Sequence, residues 1–443
     1  MTNKRPPGPN GTWLGGSLSE FKANRLAFLR RMADTYGDVV SFRLAHRRIY
    51  LVSHPDLIEQ ILVTNSRHFQ KHFALRLNPL VLGNGLLTSE GKFWLKQRRL
   101  IQPAFLNASS ARYAPDMLDA TDRHLDQWKH DSEIDISAAM MSLTLSIAAK
   151  TLFGADPESG EHDEVREALH YLQENFLRRF SSLIQLPFWV PTPRNIQTRR
   201  VVRRLDRIIY RFIEKRSTGE PRDDLLSRLL HARDEDDGSR MSNKQLRDEA
   251  MTLFVAGHET PALALSWTWY LLAQHPEVVS RLVDEVDTVL GDRSPTADDV
   301  PRLTCTANII RESMRLFSPA YVVGREALSD VEVGGYHVPR KTTMLMSQWV
   351  VHYDPRFWDE PNAFRPERWE QESEPRAKFA YFPFGGGPRV CIGKTFADLE
   401  TVLVLARIAQ RFRFELKDGQ AIQPYATFTL RPSENIMGMV RSR

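Results

Sequence analysis

The segment Phe384–Gly393, with the sequence FGGGPRVCIG, constrains this chain more than any other. Its three consecutive glycines and its proline exclude a regular helix or strand and predict a tight loop that passes close to another group. The loop contains Cys391 and is followed by the apolar spacing of a buried helix. Because a helix N-terminus carries unpaired N–H groups and the positive end of the helix dipole, a cysteine placed there favours the thiolate.

A single thiolate presented by a loop suits one chemical role better than the others. No second cysteine or histidine lies near Cys391 in the sequence, so an axial bond to haem iron fits better than a zinc site. A phosphate-binding loop that ends at Gly393-Lys394-Thr395 is excluded, because that motif needs a glycine where the chain has Pro388. A buried structural cysteine is the plainest interpretation of Cys391 alone, but the complete ten-residue pattern is far rarer.

The composition is that of an ordinary soluble protein. Of its 443 residues, 42% are hydrophobic and 26% are charged, and the net charge is +5. This mild positive charge gives no indication of a nucleic-acid partner and allows an acidic protein partner. Two cysteines, Cys305 and Cys391, exclude a disulfide framework and indicate a reducing compartment, so we expect a cytoplasmic protein. No signal peptide or membrane anchor is recognisable, and the most apolar run, 138–149, is too short to cross a membrane.

A long helix is predicted before the Cys391 loop, from Ser242 to about residue 275. Its middle reads Ala256-Gly257-His258-Glu259-Thr260, which is not a zinc-protease motif because residue 262 is not histidine. Pro261 has no N–H for the carbonyl of Gly257, so we expect the helix to kink or open beside Thr260.

These segments resemble the motifs of the cytochrome P450 family, and three further motifs complete the resemblance. They are Trp94-x-x-x-Arg98, Glu312-x-x-Arg315 and an arginine, Arg368, about fifty residues later. The resemblance covers essentially the whole chain and implies a single catalytic domain, residues 1–443. It implies a mainly α-helical triangular prism with small β sheets, in which haem b lies between the long central helix and the helix that follows the cysteine.

The resemblance also implies residue roles around the haem. Cys391 is the axial ligand of the iron, Phe384 packs beside it and Gly393 ends the loop. The haem propionates are expected to contact Trp94, Arg98, Arg325 and Arg389. A buried network of Glu312, Arg315 and Arg368 is expected to hold the chain beneath the haem.

On the oxygen side of the haem, the long helix supplies the catalytic residues. Gly257 lets the helix approach haem and O2, and Glu259 and Thr260 form an acid–alcohol pair that delivers protons. The substrate pocket is expected to be lined by Ala256, Ala320, Tyr321, Val322, Val323 and Phe428.

The resemblance implies a monooxygenase that hydroxylates a hydrophobic small molecule such as a fatty acid, a terpenoid or a steroid-like compound. Two electrons come from outside through a ferredoxin or flavodoxin-type donor and an NAD(P)H reductase, because the chain has no flavin, nicotinamide or iron–sulfur motif. Lys96, Arg99 and Lys394 are candidates for docking that donor. We expect a monomer that binds no nucleic acid. The apolar loop 186–193 either packs between helices or makes a weak peripheral contact with a membrane.

Two alternatives remain open. One is a peroxide-driven haem-thiolate hydroxylase, and the other is a thiolate-haem sensor or electron carrier without catalysis. Neither requires Glu259 and Thr260 together, so the presence of both residues favours the monooxygenase.

Overall fold

The computed structural model describes residues 4–77, 79–154, 161–180, 186–218, 224–234, 238–370 and 377–443. These residues form mainly α-helices with small sheets, so the predicted fold class is confirmed. The α-helices are Leu18–Ala23 (α1), Arg25–Tyr36 (α2), Pro55–Glu59 (α3), Pro79–Leu82 (α4), Gly91–Ile101 (α5), Asn107–Ala111 (α6), Ala114–Leu125 (α7), Ile136–Phe153 (α8), Glu161–Phe180 (α9), Pro193–Thr218 (α10), Leu225–His231 (α11), Asn243–Leu272 (α12), Pro276–Leu290 (α13), Thr304–Leu316 (α14), Gln348–Val351 (α15) and Lys394–Arg411 (α16).

The strands form a five-stranded sheet and three smaller sheets within the described part of the chain. They are Val39–Leu44 (β1), Arg47–Val52 (β2), Phe69–Lys71 (β3), Ser132–Asp135 (β4), Val323–Ala327 (β5), Val331–Val333 (β6), Tyr336–Val338 (β7), Thr343–Met346 (β8), Phe412–Leu416 (β9), Pro424–Ala426 (β10), Leu430–Pro432 (β11) and Met437–Ser442 (β12). The large sheet has the order β1-β2-β8-β5-β3, and only its β2–β8 pair is parallel. The others have the orders β4-β12-β9, β10-β11 and β6-β7.

Helix α12 is the central element of the core. It has 30 residues, most of them buried, and packs along α8 and against α14 and α16. Ser242 caps its N-terminus by accepting a hydrogen bond from the N–H of Gln245 at 3.2 Å. The helix assignment is continuous through Pro261, and the kink or opening expected there stays a prediction.

Helix α8 is long and apolar enough to cross a membrane by length and composition alone. However, 61% of this segment is buried inside the protein, where it packs on α12. Its buried side chains therefore belong to the main core. A core helix can have the same length and apolar composition as a membrane-spanning one.

A buried ion-pair network fixes the chain that leads to the Cys391 loop. The carboxylate of Glu312 accepts hydrogen bonds from Arg315 at 2.7 and 3.0 Å and from Arg368 at 2.8 Å. The indole N–H of Trp369 and the backbone N–H of Arg365 also donate to it. Arg315 in turn donates to three carbonyl groups, those of His352, Pro361 and Ala363. Because all the charged atoms are paired, the network can stay buried while it joins α14 to residues 352–369.

A second buried network holds residues 80–89 against the first turns of α12. Glu249 accepts a hydrogen bond from the N–H of Leu86 at 2.7 Å, and Lys71 donates to the carbonyl oxygen of the same residue at 2.6 Å. A Cβ atom on Gly83 would lie 2.1 Å from the side chain of Asp248, so only glycine allows this close approach. The backbone of Leu86 is thus held between an acidic and a basic side chain, immediately before α5.

We predict that Glu312→Gln destabilises the fold by about 3–5 kcal/mol, because it leaves two buried guanidinium groups without their counter-charge. Urea unfolding measures this change. The control is Glu367→Gln, which removes a carboxylate that is 41% exposed and pairs with Arg281. This control should cost less than about 1 kcal/mol. Equal losses in the two variants would contradict a structural role for the buried network.

A second prediction concerns pH. Burial raises the pKa of Glu249 to about 7, against the opposing effect of the Leu86 N–H. Between about pH 4.5 and 7 the folded protein therefore holds a proton that the unfolded chain has released, so this residue's contribution to stability falls as the pH rises. Glu249→Gln removes this pH dependence. The free energy of unfolding of the variant, relative to that of the wild type, should therefore rise by up to about 3 kcal/mol as the pH increases through this window.

Thermal unfolding at pH 5 and pH 7.5 checks the expected change. Glu214→Gln, on the exposed side of α10, should show no such trend. A stability difference between Glu249→Gln and wild type that stays flat with pH would contradict the assignment.

Candidate active site

The Cys391 loop closes on itself through backbone hydrogen bonds. The N–H of Cys391 donates to the carbonyl oxygen of Phe384 at 3.0 Å, and the N–H of Gly385 donates to that of Phe382 at 2.9 Å. Gly387 has φ +67°, and a Cβ atom there would lie 1.8 Å from the carbonyl oxygen of Leu62. The glycines therefore let the loop turn sharply and lie directly on the neighbouring chain. Phe384 is partly buried and packs against the main core.

Cys391 is exposed, while the protein packed around it shields its thiol enough to affect the thiol pKa. Helix α16 begins at Lys394 with Gly393 as its N-cap, so Cys391 lies just before the helix. Burial raises the pKa of the thiol, while the N–H of Gly393 and the charge of Arg98 act to lower it. A bound metal cation would favour the thiolate, because it deprotonates a coordinating thiol.

Helix α12 leaves a short stretch of its middle turns uncovered. Ala256 is exposed and Gly257 and Thr260 are partly exposed, although most of the helix is buried. A Cβ atom on Gly257 would meet only Leu152, at 3.3 Å. The hydroxyl of Thr260 donates to the carbonyl oxygen of Ala256 at 2.7 Å. The structure thus groups these three predicted residues along one open strip of α12.

Glu259 lies apart from that strip. Its carboxylate pairs with Arg431 at 2.7 and 2.9 Å, and accepts a 2.7 Å hydrogen bond from Thr429 and a short one from Gln173. It is buried and directed toward the β10–β11 hairpin and α9. The structure therefore does not place the predicted acid against Thr260. It places the acid in an ion pair.

A cluster of buried cations lies beside the Cys391 loop. Lys71 and Arg325 are opposite each other in the β3–β5 pair, and the guanidinium of Arg389 lies 4.4 Å from the centre of the Trp94 ring. Glu90 pairs with Arg389, and the carboxyl groups of Glu90 and Glu249 both act on Lys71. Burial and the two arginines lower the pKa of Lys71 to about 7.

This cationic cluster fits an anionic group such as the two haem propionates. One nitrogen of Arg389, Nη1, is buried without a hydrogen-bond partner within the described residues. The guanidinium of Arg325 donates to the carbonyl oxygen of its neighbour Gly324, at 2.9 Å. Buried cations in excess of buried anions are costly, so a ligand with carboxylates would complete the charge balance.

Arg98, also predicted to reach the propionates, contacts the Cys391 loop, and its role toward the propionates stays a prediction. It donates to the carbonyl oxygen of Val390, the residue before the cysteine, at 2.8 Å. Its positive charge thus lies next to Cys391. Trp94 is buried one turn earlier on α5, where it contacts the cationic cluster.

The predicted pocket residues divide into two groups. Val323 approaches the glycine-rich loop, with its methyl group 4.0 Å from the Cβ position of Gly385, and Ala320 and Val322 are partly buried. Tyr321 instead turns into a separate cluster with Leu26, Ala426 and Leu430, and its hydroxyl donates to the carbonyl oxygen of Thr427. Its side chain is buried in that cluster, against which Val322 also packs, and its role in lining the pocket stays a prediction.

Phe428 is 38% exposed and pairs edge to face with Phe176 of α9, with ring centres 5.1 Å apart. Thr429, next in the chain, contacts Glu259. Phe176 was not predicted from the sequence, and neither were Lys71, Glu90, Gln173 and Arg431. Lys71 could have been found by pairing β3 with the strand of Arg325, whereas the partners of Glu259 lie far from it in the sequence and left no signal there.

Comparison with known proteins identifies the family. The family model described as Cytochrome P450 matches residues 6–439. Cyclooctatin synthase of Streptomyces melanosporofaciens is 36% identical over 426 residues, covering 95% of this chain and 92% of that protein. Cyclooctat-9-en-7-ol 5-monooxygenase of the same organism is 36% identical over 399 residues, covering 90% and 86%. The crystal structure of the cytochrome P450DA heme domain matches with a TM-score of 0.90 at 27% identity, over 100% of this chain and 98% of that one. The chain therefore belongs to the cytochrome P450 family, whose members bind haem b through an axial cysteine thiolate and act as monooxygenases.

Proposed function

We propose that this cytochrome P450, a monooxygenase that hydroxylates a hydrophobic substrate, uses Cys391 as its axial thiolate and acts on a terpenoid-type molecule. The observation that carries the proposal is the position of Cys391, an exposed cysteine in the glycine-rich loop beside the cationic cluster of Lys71, Arg325 and Arg389. Cys305, the other cysteine, is a poor candidate because it lies in α14 and packs, partly buried, against the main core. The similar protein named cyclooctat-9-en-7-ol 5-monooxygenase supports the substrate class, since its name describes a cyclic alkenol.

When bound, haem b supplies the redox chemistry that activates O2. The residues of this chain hold it and control the space around it. Cys391 provides the axial sulfur, and Lys71, Arg325 and Arg389 provide positive charge for the propionates. Ala256 and Gly257 present a small surface on α12, which leaves room on the oxygen side for O2 and an apolar substrate.

Thr260 is proposed to control a proton on this side. Its hydroxyl donates to the carbonyl oxygen of Ala256, so the lone pairs of Oγ remain available to accept a hydrogen bond from water in the cleft. Glu259 can supply that water with protons only if its carboxylate leaves Arg431, because the ion pair now occupies it. Arg431 is therefore proposed to regulate the acid, and the acid–alcohol pair forms by a side-chain rearrangement of Glu259.

Two alternative functions make different demands on these residues. A sensor or electron carrier would use Cys391 without an open strip at Ala256 and Thr260. A peroxide-driven hydroxylase would receive its oxidant already protonated and would not need Thr260. The partly exposed hydroxyl of Thr260 favours the O2-dependent monooxygenase.

The proposed electron donor is a ferredoxin or flavodoxin-type protein reduced by an NAD(P)H reductase. The three cations that are candidates for docking this donor already have acidic partners within the protein. Lys96 and Arg99 both lie within 4 Å of Asp234, and Lys394 pairs with Asp398 at 2.6 Å. An acidic partner would therefore have to compete with these internal pairs, which weakens the electrostatic argument for this surface.

We further propose a cytoplasmic monomer with no nucleic-acid partner and with a weak peripheral membrane contact. The contact would use the loop 186–193. Trp189 is 77% exposed and Leu186 is 49% exposed, so the loop presents apolar side chains to solvent instead of packing them between helices. An apolar substrate could then be taken from a membrane surface.

The test of the proposed function combines a substrate with one substitution. Spectral titration of the ferric protein with terpenoid alcohols, fatty acids and steroids identifies a substrate, and product analysis with NAD(P)H, reductase and donor shows hydroxylation. Thr260→Ala should then give less hydroxylated product and more hydrogen peroxide for each NAD(P)H consumed. A threefold shift in this ratio corresponds to about 0.65 kcal/mol, which loss of one hydrogen bond can supply.

Thr268→Ala is the matched control for this substitution. Thr268 makes the same 2.7 Å hydrogen bond to the carbonyl four residues earlier on α12, but it is fully buried and distant from the open strip. The control should keep the wild-type ratio of product to peroxide. Equal ratios in wild type and Thr260→Ala would contradict the proton role, and absence of product with every donor and substrate would favour the sensor.

A further inference from the structure

His352 is a fully buried histidine that none of the motifs above explains. It caps the end of α15, between the Glu312 network and the Cys391 loop. Its Nδ1 lies 3.0 Å from the carbonyl oxygen of Arg315, and its Nε2 lies 3.2 Å from the backbone nitrogen of Phe382. Its own carbonyl oxygen accepts a 2.8 Å hydrogen bond from the guanidinium of Arg315. The ring therefore connects the ion-paired arginine to the segment that enters the loop.

The partners of His352 determine its protonation state. The carbonyl of Arg315 can only accept a hydrogen bond and the N–H of Phe382 can only donate one. The imidazole must therefore be neutral, with its proton on Nδ1. Burial lowers the pKa of His352 to about 3, with a smaller contribution in the same direction from the charge of Arg315. The ring keeps both hydrogen bonds at every pH at which the enzyme would work.

The imidazole is also fixed in orientation. It stacks on Tyr381, with ring centres 5.3 Å apart and an angle of 28°, and meets Phe382 edge to face. The hydroxyl of Tyr381 donates to the carbonyl oxygen of Arg311 on α14. The segment that enters the loop is thus attached to α14 at two adjacent residues, through the Tyr381 hydroxyl and through His352.

The path from Phe382 to the cysteine is short. The carbonyl of Phe382 accepts the N–H of Gly385 at 2.9 Å and the side chain of Gln348 at 3.1 Å, which forms the first turn of the loop. The carbonyl of Phe384, two residues further on, accepts the N–H of Cys391. A shift of the Phe382 backbone would move both of these turns and, with them, the direction of the cysteine side chain.

We propose that His352 is a positioning residue that transmits the rigid geometry of the Glu312–Arg315 network to Cys391 through the backbone of Phe382. This inference rests on the proposed role of Cys391 as the axial ligand. The alternative is that His352 only fills space in the core. The two accounts differ in whether the acceptor at Nε2 matters separately from the volume of the ring.

Two substitutions separate these accounts. In His352→Gln the side-chain oxygen can occupy the position of Nε2 and accept from Phe382, whereas His352→Asn keeps a donor near the position of Nδ1 and loses that acceptor. Val351→Ala is the control. Val351 is also fully buried and precedes His352, but its side chain makes no hydrogen bond. All three variants are expected to lower the unfolding temperature.

The readout is the absorption spectrum of the reduced carbonyl complex, recorded for each haem-loaded variant at the same interval below its own unfolding temperature. The strongly red-shifted band reports a thiolate opposite CO, and its loss reports a thiol or a lost ligand. We expect the ratio of thiol form to thiolate form to rise in His352→Asn by about fivefold, the factor that corresponds to a lost hydrogen bond of about 1 kcal/mol. His352→Gln and Val351→Ala should stay near the wild-type ratio.

Equal ratios in the Asn and Gln variants would overturn the proposal, whether both rise or neither does. If His352→Asn fails to accumulate, hydrogen exchange in the wild-type holoprotein decides: the Phe382 amide should exchange as slowly as the amides of α14, and exchange at the rate of an open loop would overturn the proposal. A wild-type protein without the thiolate band would instead contradict the role of Cys391, so the two failures are distinguishable.

Discussion

The ion pairing of the buried Glu312 carboxylate is the interaction on which the chain leading to the Cys391 loop depends. Removing a charge from water is costly, and here the cost is offset because Arg315, Arg368 and Trp369 surround the carboxylate with donors. Arg315 also donates to three carbonyl groups in residues 352–363, which form little regular structure of their own. The guanidinium of Arg315 thus satisfies the carbonyl groups of irregular backbone, as the N–H groups of a sheet or helix do elsewhere, and holds that backbone in place.

The two proposed faces of the haem site, the Cys391 loop and the middle of α12, are built on opposite principles. The cysteine side consists of a glycine-rich loop that is held rigidly by backbone hydrogen bonds and by buried side chains. On the oxygen side, α12 leaves Ala256 and Thr260 uncovered, and the neighbouring acid is held away by Arg431. Both features are consistent with oxygen chemistry. The metal ligand has to keep its position, whereas protons have to be delivered by side chains that can rearrange.

Much of this arrangement could be predicted from the sequence, because it depends on local chemistry. The glycines around Cys391, the cap at Ser242 and the i,i+3 spacing of Glu312 and Arg315 act over a few residues, and the structure shows contacts at each of them. The failures concern contacts between distant parts of the chain. Nothing near Glu259 in the sequence indicates that Arg431 would bind it.

The identity of the axial ligand is the central claim, and the reduced carbonyl complex tests it most directly. The wild-type protein and Cys305→Ser should both show the strongly red-shifted absorption band, because each keeps the Cys391 thiolate opposite CO. Cys391→Ser should lose that band. Its persistence in Cys391→Ser, or its loss in Cys305→Ser alone, would show that the loop at Phe384–Gly393 does not hold the iron and would contradict this account.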